Sequence, residues 1–198
     1  MAKKIKYGLS NVWIAKATIA DDGTATYDAP FRFPGAVNLS LDQEGELSVF
    51  YADNIKYWQG AANNGYSGSF EAALVPDKFK TDILGMVLSS DKVMLEDSSA
   101  TGSPFAMMFQ FENDISNTRY VLYNCVATRP AIAGSTKEAS IEPETETLDI
   151  EAGSIWVPDA MMWIVKANTG DDTEAATINA WFDAPYIPGE QPAPGPGV

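Results

Sequence analysis

From Tyr66 to Leu74 every second residue (Tyr66, Gly68, Phe70, Ala72, Leu74) falls on one side of an extended chain. Ser67, Ser69 and Glu71 fall on the other side. A period of two is the pattern of a strand with one face buried and one face wet. Ala36 to Leu41 repeats it, and so does Thr145 to Ala152. "PFAMMFQF" (Pro104–Phe111) and "TRYVLYNCVAT" (Thr118–Thr128) are denser in apolar side chains. They read as two central strands of a hairpin, turning through Asn113-Asp114 and Ser116-Asn117. Lys4–Leu9, Asn11–Ala17 and Met161–Ala167 read as further short strands, and Asp21-Asp22-Gly23 as a hairpin turn.

One stretch has helical spacing. In "PDKFKTDILGMVL", Phe79, Ile83 and Leu84 form an apolar stripe, with Pro76 placed for a first turn and Gly85 for a C-terminal cap. Thr177–Phe182 reads as a helical turn or a strand, with a short helix favoured. Nothing alternates strand with helix in the manner of a parallel sheet. The expected fold is mainly β: a single domain of two packed antiparallel sheets, a sandwich or half-barrel, with a short flanking α-helix. The domain is expected over residues 1–187. From Pro185 on, "PYIPGEQPAPGPGV" (Pro185–Val198) is rich in Pro and Gly and reads as an extended tail, of which residues 188–198 are set outside the domain as flexible.

Residues 42–65 fit none of these patterns. Phe50, Tyr51, Tyr57 and Trp58 lie among Gly, Asn, Asp and Lys56 without sustained period, so the segment reads as a long loop. A connection this long within one domain is usually functional, and its aromatics suit equally packing onto the parent domain or an interface with a partner chain.

Composition narrows the chemistry. Histidine is absent, which removes the commonest general acid–base group, the Ser-His and Cys-His nucleophile pairs and a usual zinc ligand. Cys125 stands alone, so no internal disulfide forms, and its apolar flanks place it on a buried strand. No apolar run approaches the roughly 20 residues of a membrane helix. Met1 to Lys6 is basic with no apolar stretch behind it, unlike a signal peptide, so synthesis and folding are expected in the cytoplasm. Thirteen basic residues face 27 acidic ones, for a net charge of −14. The second half carries most of the excess. Phosphate binding is disfavoured on such a chain, which suits solubility or a surface that repels a polyanion.

"SIEPETETLDIEA" (Ser140–Ala152) concentrates that charge. Glu142, Glu144 and Glu146 would share one side of a strand, about 7 Å apart, and Leu148 and Ile150 continue that side into a core. Catalytic carboxylates come as pairs with one in an apolar setting, and calcium wants ligands converging from a curved loop. Neither arrangement is visible in this row. It reads as a solvated face or a functional anionic surface. No cofactor, metal site or catalytic group is expected. Trp13, Tyr57, Trp58 and Tyr66 leave open a carbohydrate-binding sandwich, and a carboxylate hydrolase is a third possibility.

A set of strings bears on the choice. "KIKYGLSNVWIA" (Lys4–Ala15), "PGAVNLSLDQEGE" (Pro34–Glu46), "FYADNIKYW" (Phe50–Trp58), "NNGYSGSFEAALVPDKFKTDILG" (Asn63–Gly85), "PFAMMFQFE" (Pro104–Glu112), "RYVLYNCVATRP" (Arg119–Pro130) and "STKEASIEPETETLDI" (Ser135–Ile150) together resemble the major tail protein of siphophages, of the phi13 type. The resemblance runs over roughly residues 4–188, with Asp149–Met162 less similar than the rest.

The resemblance implies the tail-tube-protein fold and a structural, non-enzymatic virion protein. It implies homohexameric rings stacked into a long non-contractile tube, whose acidic channel passes phage DNA into the host without specific binding. Other partners implied are the tape measure, tail terminator and distal tail proteins, with no membrane. The implied location is the virion tail, assembled in the host cytoplasm. Residues 42–65 become an inter-subunit and inter-ring loop anchored by Phe50, Tyr51, Tyr57 and Trp58. Glu142, Glu144 and Glu146 become candidates for the lumen, with the exterior or contacts to a neighbour's Lys or Arg as alternatives. No added immunoglobulin-like domain is expected.

Overall fold

The computed structural model describes residues 7–112, 118–136 and 143–189. In chain order these form β1 (Leu9–Ile19), β2 (Ala25–Tyr27), β3 (Phe31–Arg32), β4 (Ala36–Glu44), β5 (Leu47–Ala52), β6 (Ile55–Ala61) and β7 (Gly65–Ala72). Then come α1 (Asp77–Asp82), β8 (Val87–Leu88), β9 (Met94–Leu95), β10 (Phe105–Phe111), β11 (Arg119–Ala127) and β12 (Glu146–Gly153). The last are β13 (Ile155–Val157), β14 (Met162–Ile164), β15 (Lys166–Asn168) and α2 (Ala175–Ala180). The fold is mainly β, as the alternation indicates, with every strand pair antiparallel.

Nine strands make one sheet, ordered β2-β1-β10-β11-β12-β7-β4, with β3 beside β1 and β15 beside β11. Its two ends share a core, so the sheet curls over on itself into two layers. Val12 and Ile14 of β1, Phe105, Met107 and Phe109 of β10, and Leu122 and Cys125 of β11 supply one wall. Phe70 of β7 and Leu148 and Ile150 of β12 supply the other, and α1 closes the side through Phe79. Phe79 stands edge-on to Phe33 and Phe105, with ring centroids 5.3 and 5.5 Å apart. That geometry adds to the burial of the rings.

The dense apolar runs belong to the layer buried on both faces. Met107 points into the first core, while its neighbours Ala106 and Met108 point into a second. The second core, with Val121, Tyr123, Ile155, Val157 and Trp181, lies across the β1–β10–β11 layer. A strand wet on one face must alternate, whereas one covered on both has no reason to. Burial pushes the Cys125 thiol far above its ordinary range, which keeps it an unreactive part of the first core.

Several details correct the sequence reading. Asn11 bends within a single strand, β1, where two short strands were expected; its φ is +51° and the register against β10 shifts there. Residues 42–65 are not a structureless loop. β4 runs on to Glu44, and β5 and β6 form a hairpin. Asp53 and Asn54 make its two-residue turn with φ of +50° and +63°, the primed geometry that matches strand twist. Met161–Ala167 is split between β14, which pairs with β13, and β15, which pairs with β11. The β8–β9 hairpin was not foreseen. Pro185 does not begin a loose tail. Tyr186 stacks on Trp181 at 5.6 Å, and its carbonyl accepts a 2.6 Å hydrogen bond from the Tyr123 hydroxyl. The expected tail at 188–198 lies outside the described residues beyond Gly189, as does the expected turn at 113–117.

Candidate functional site

β4, β7 and β12 each turn one face to the first core and leave the other in water. Pairing fixes what the wet face carries. Ser40 lies opposite Ser69, and Ser69 opposite Asp149. In the next row Asp42 lies opposite Ser67, and Ser67 opposite Glu151. A third row sets Asn38 beside Glu71 and Glu71 beside Thr147. Rows of this kind lie about 7 Å apart along a strand. The three strands hold the carboxylates Asp42, Glu44, Glu71, Glu146, Asp149 and Glu151, and no Lys or Arg.

Hydroxyl groups hold parts of this face in place. Ser67 Oγ donates to Glu44 Oε1, and Thr145 Oγ1 donates to Glu71 Oε1 at 2.5 Å. The Asp149 N–H donates to Thr128 Oγ1 at 3.2 Å. A shallow trough of about 580 Å³ runs over the face, with Ser40, Asp42, Ser67, Asp149 and Glu151 in its lining. Each carboxylate comes from a different row or strand, so the acids spread over the sheet. Among the described residues no three acidic side chains gather closely enough to hold a metal ion.

The row read from sequence is placed differently. Glu142 lies outside the described residues. Glu144 is exposed and precedes the strand, which starts at Glu146. Glu146 does share the side of Leu148 and Ile150, as expected, but this side is the core side. Its Oε2 accepts a 2.6 Å hydrogen bond from the N–H of Val75, a fully buried residue. Glu146 therefore anchors the link from β7 to α1. Glu146→Ala strands that N–H without a partner, and a loss of about 1–3 kcal/mol is expected in urea unfolding. Glu146→Gln, which keeps an oxygen there, loses less.

Phe50, Tyr51, Tyr57 and Trp58 lie on a hairpin. Among the described residues β5 and β6 pair only with each other, forming an arm that continues from the paired strands β4 and β7. Phe50 faces Trp58 across the ladder, and the Phe50 and Tyr57 rings meet edge to face at 6.5 Å. Trp58 lies over Gly60, where a Cβ would come within 2.6 Å of the indole. Even so, Phe50, Tyr51, Tyr57 and Trp58 are 59, 61, 69 and 56% exposed. A two-stranded hairpin is marginal alone and holds firmly when a further layer covers it. This arm presents its rings to solvent. Trp13 and Tyr66 are placed elsewhere: Trp13 stacks on Phe182 at 6.3 Å, and Tyr66 borders the first core.

Two smaller hairpins are also apolar outside. Val87, Leu88 and Leu95 are exposed on β8–β9, and Met161, Met162 and Trp163 at β13–β14. Among the described residues no helix is long and apolar enough to cross a membrane.

No protein-family model matches this chain, and no curated protein does. Among solved structures, it is similar to a chain of the anti-feeding prophage baseplate, determined by cryo-electron microscopy with six-fold symmetry. The TM-score is 0.44 at 11% identity, covering 87% of this chain and 99% of that one. A likeness this distant assigns no role.

Proposed function

We propose that this protein is a self-assembling structural subunit of the siphophage tail-tube kind. Copies join in hexameric rings, the rings stack, and the β4–β7–β12 face lines a channel through which DNA passes. The observation that carries this reading is the wet face of those three strands. Its three strands present carboxylates and hydroxyls and carry no Lys or Arg, and the sheet ends at β4, whose outer edge has no partner strand among the described residues. An open edge is a template for another copy, and edge-to-edge joining extends the acidic face around a ring. A duplex against such a wall finds no cation to displace its counterions and is not retained.

In this reading the lumen acids are Asp42, Glu71, Asp149 and Glu151, in place of the row Glu142, Glu144 and Glu146. The aromatic arm contacts neighbouring copies, and the chain works as architecture, without a catalytic step. The tape measure, tail terminator and distal tail proteins are its further partners.

Negative-stain microscopy of the purified protein over rising concentration tests the proposal. Rings or tubes are expected. A chain that stays solitary at high concentration and binds a glycan saturably would instead fit a carbohydrate-binding module, the reading that the exposed Tyr57 and Trp58 favour next.

A further inference from the structure

The first core is not closed all round. Where β4 and β7 diverge from β10 and β11, a cleft of about 300 Å³ opens, with Leu41, Tyr66, Phe111, Tyr120 and Lys166 in its lining. Tyr120 stacks on Phe109 with centroids 5.3 Å apart and meets Phe111 edge to face at 5.6 Å. Lys166 Nζ sits 4.8 Å from the centre of the Tyr66 ring. The cleft is thus an aromatic slot with a single ammonium group among its lining residues, on a chain of net charge −14.

The geometry points to the aromatic arm of a second copy as the occupant of this cleft. This inference rests on the self-assembly reading above and names the contact that reading leaves open. Three observations select the occupant. Among the described residues every copy carries both an exposed aromatic ribbon and an open aromatic cleft, the two halves of a head-to-tail contact. The ribbon from Glu44 to Ala61 bears Glu44, Glu46 and Asp53 against one Lys56, a charge opposite to that of Lys166. With strands of six and seven residues, the arm extends roughly 20 Å, long enough to reach another molecule. The slot has the scale of one or two large side chains, which suits Trp58 or Tyr57 entering between rings.

Complementation tests this. The arm variant is Tyr57→Ala with Trp58→Ala, which keeps the cleft. The cleft variants are Leu41→Trp, which fills the slot, and Lys166→Glu, a surface change that reverses its charge without touching the core. Circular dichroism and thermal melting confirm that each is folded. At a concentration where the wild type assembles, each variant alone is expected to remain monomeric. The arm variant mixed with a cleft variant is expected to give a one-to-one heterodimer by sedimentation velocity and light scattering, because one intact arm meets one intact slot. Cleft variants that assemble like the wild type, or mixtures that stay monomeric while the wild type builds tubes, overturn the docking and leave the tube reading standing. Heterodimers from a wild type that never forms rings or tubes uphold the docking and overturn the tube reading. Monomers throughout overturn both.

Discussion

Replacing Tyr57 and Trp58 together with alanine leaves a folded monomer whose polymerisation threshold rises about a thousandfold. The expectation follows from where the rings are. They lie on β6, in a hairpin that pairs with no strand of the main sheet, and more than half of each is exposed. Folding of the body therefore draws little on them, and the melting temperature should move by a few degrees at most. The proposed assembly draws on them heavily, because large aromatics that become fully covered at an interface contribute about 2 kcal/mol or more each. Two such losses amount to roughly 4 kcal/mol, and each 1.4 kcal/mol is tenfold in an equilibrium constant. Sedimentation velocity against concentration reads the threshold, and microscopy reads tube length. A double variant that builds tubes of normal length at normal concentration removes the arm from the assembly contacts.

The arm also shows where sequence reading stops. Alternation is legible only when one face is buried by the same chain, as in β7, where Tyr66, Gly68, Phe70 and Ala72 face the core. On the arm, Phe50, Tyr51, Tyr57 and Trp58 are all exposed and the ladder shifts register between Phe50 and Tyr51, so no single-chain burial imprints a period. The turn was hidden too, since Asp53-Asn54 does its work without the glycine that usually marks a primed turn. The acidic face was missed for a different reason. Glu142, Glu144 and Glu146 are conspicuous because they are close in sequence. The face in the structure gathers Asp42, Ser67 and Glu151 from three strands, and only the pairing register brings them into one row. Tyr186 was read as the start of a tail because its partners, Tyr123 and Trp181, are recognised by contact and not by composition. By contrast, Pro104–Phe111, Thr118–Thr128 and the α1 stripe are readable, since each is determined by local pattern, whereas the segment that forms α2 reads as a helical turn or a strand.

Reversing the charge of the sheet face is expected to turn the proposed channel wall into one that retains DNA. In Asp149→Lys with Glu151→Lys, each chain gains four units of positive charge on neighbouring rows of β12. Both side chains are exposed, so the fold should change by no more than about 0.5 kcal/mol per site. The effect on nucleic acid is much larger. Each lysine that meets a phosphate releases counterions, and the logarithm of affinity then falls with the logarithm of salt by about 0.9 per contact. Copies repeated around a ring supply many contacts. Tubes of the reversed protein should hold duplex DNA at about 50 mM salt and lose several powers of ten in affinity by about 200 mM. Wild-type tubes should bind none. The side of the wall is read by assembling the variant in the presence of short duplexes and adding nuclease. DNA enclosed by a lysine-bearing bore survives digestion, while DNA on the outside is cut. Asp91→Lys with Asp172→Lys, exposed positions on the β8–β9 and β15–α2 connections and absent from the lining of the trough, gives the external comparison: binding without protection. Protected DNA in the β12 variant alone places the acidic face toward the channel. Equal digestion in both variants places it on the exterior, where its carboxylates serve only to keep the assembly in solution.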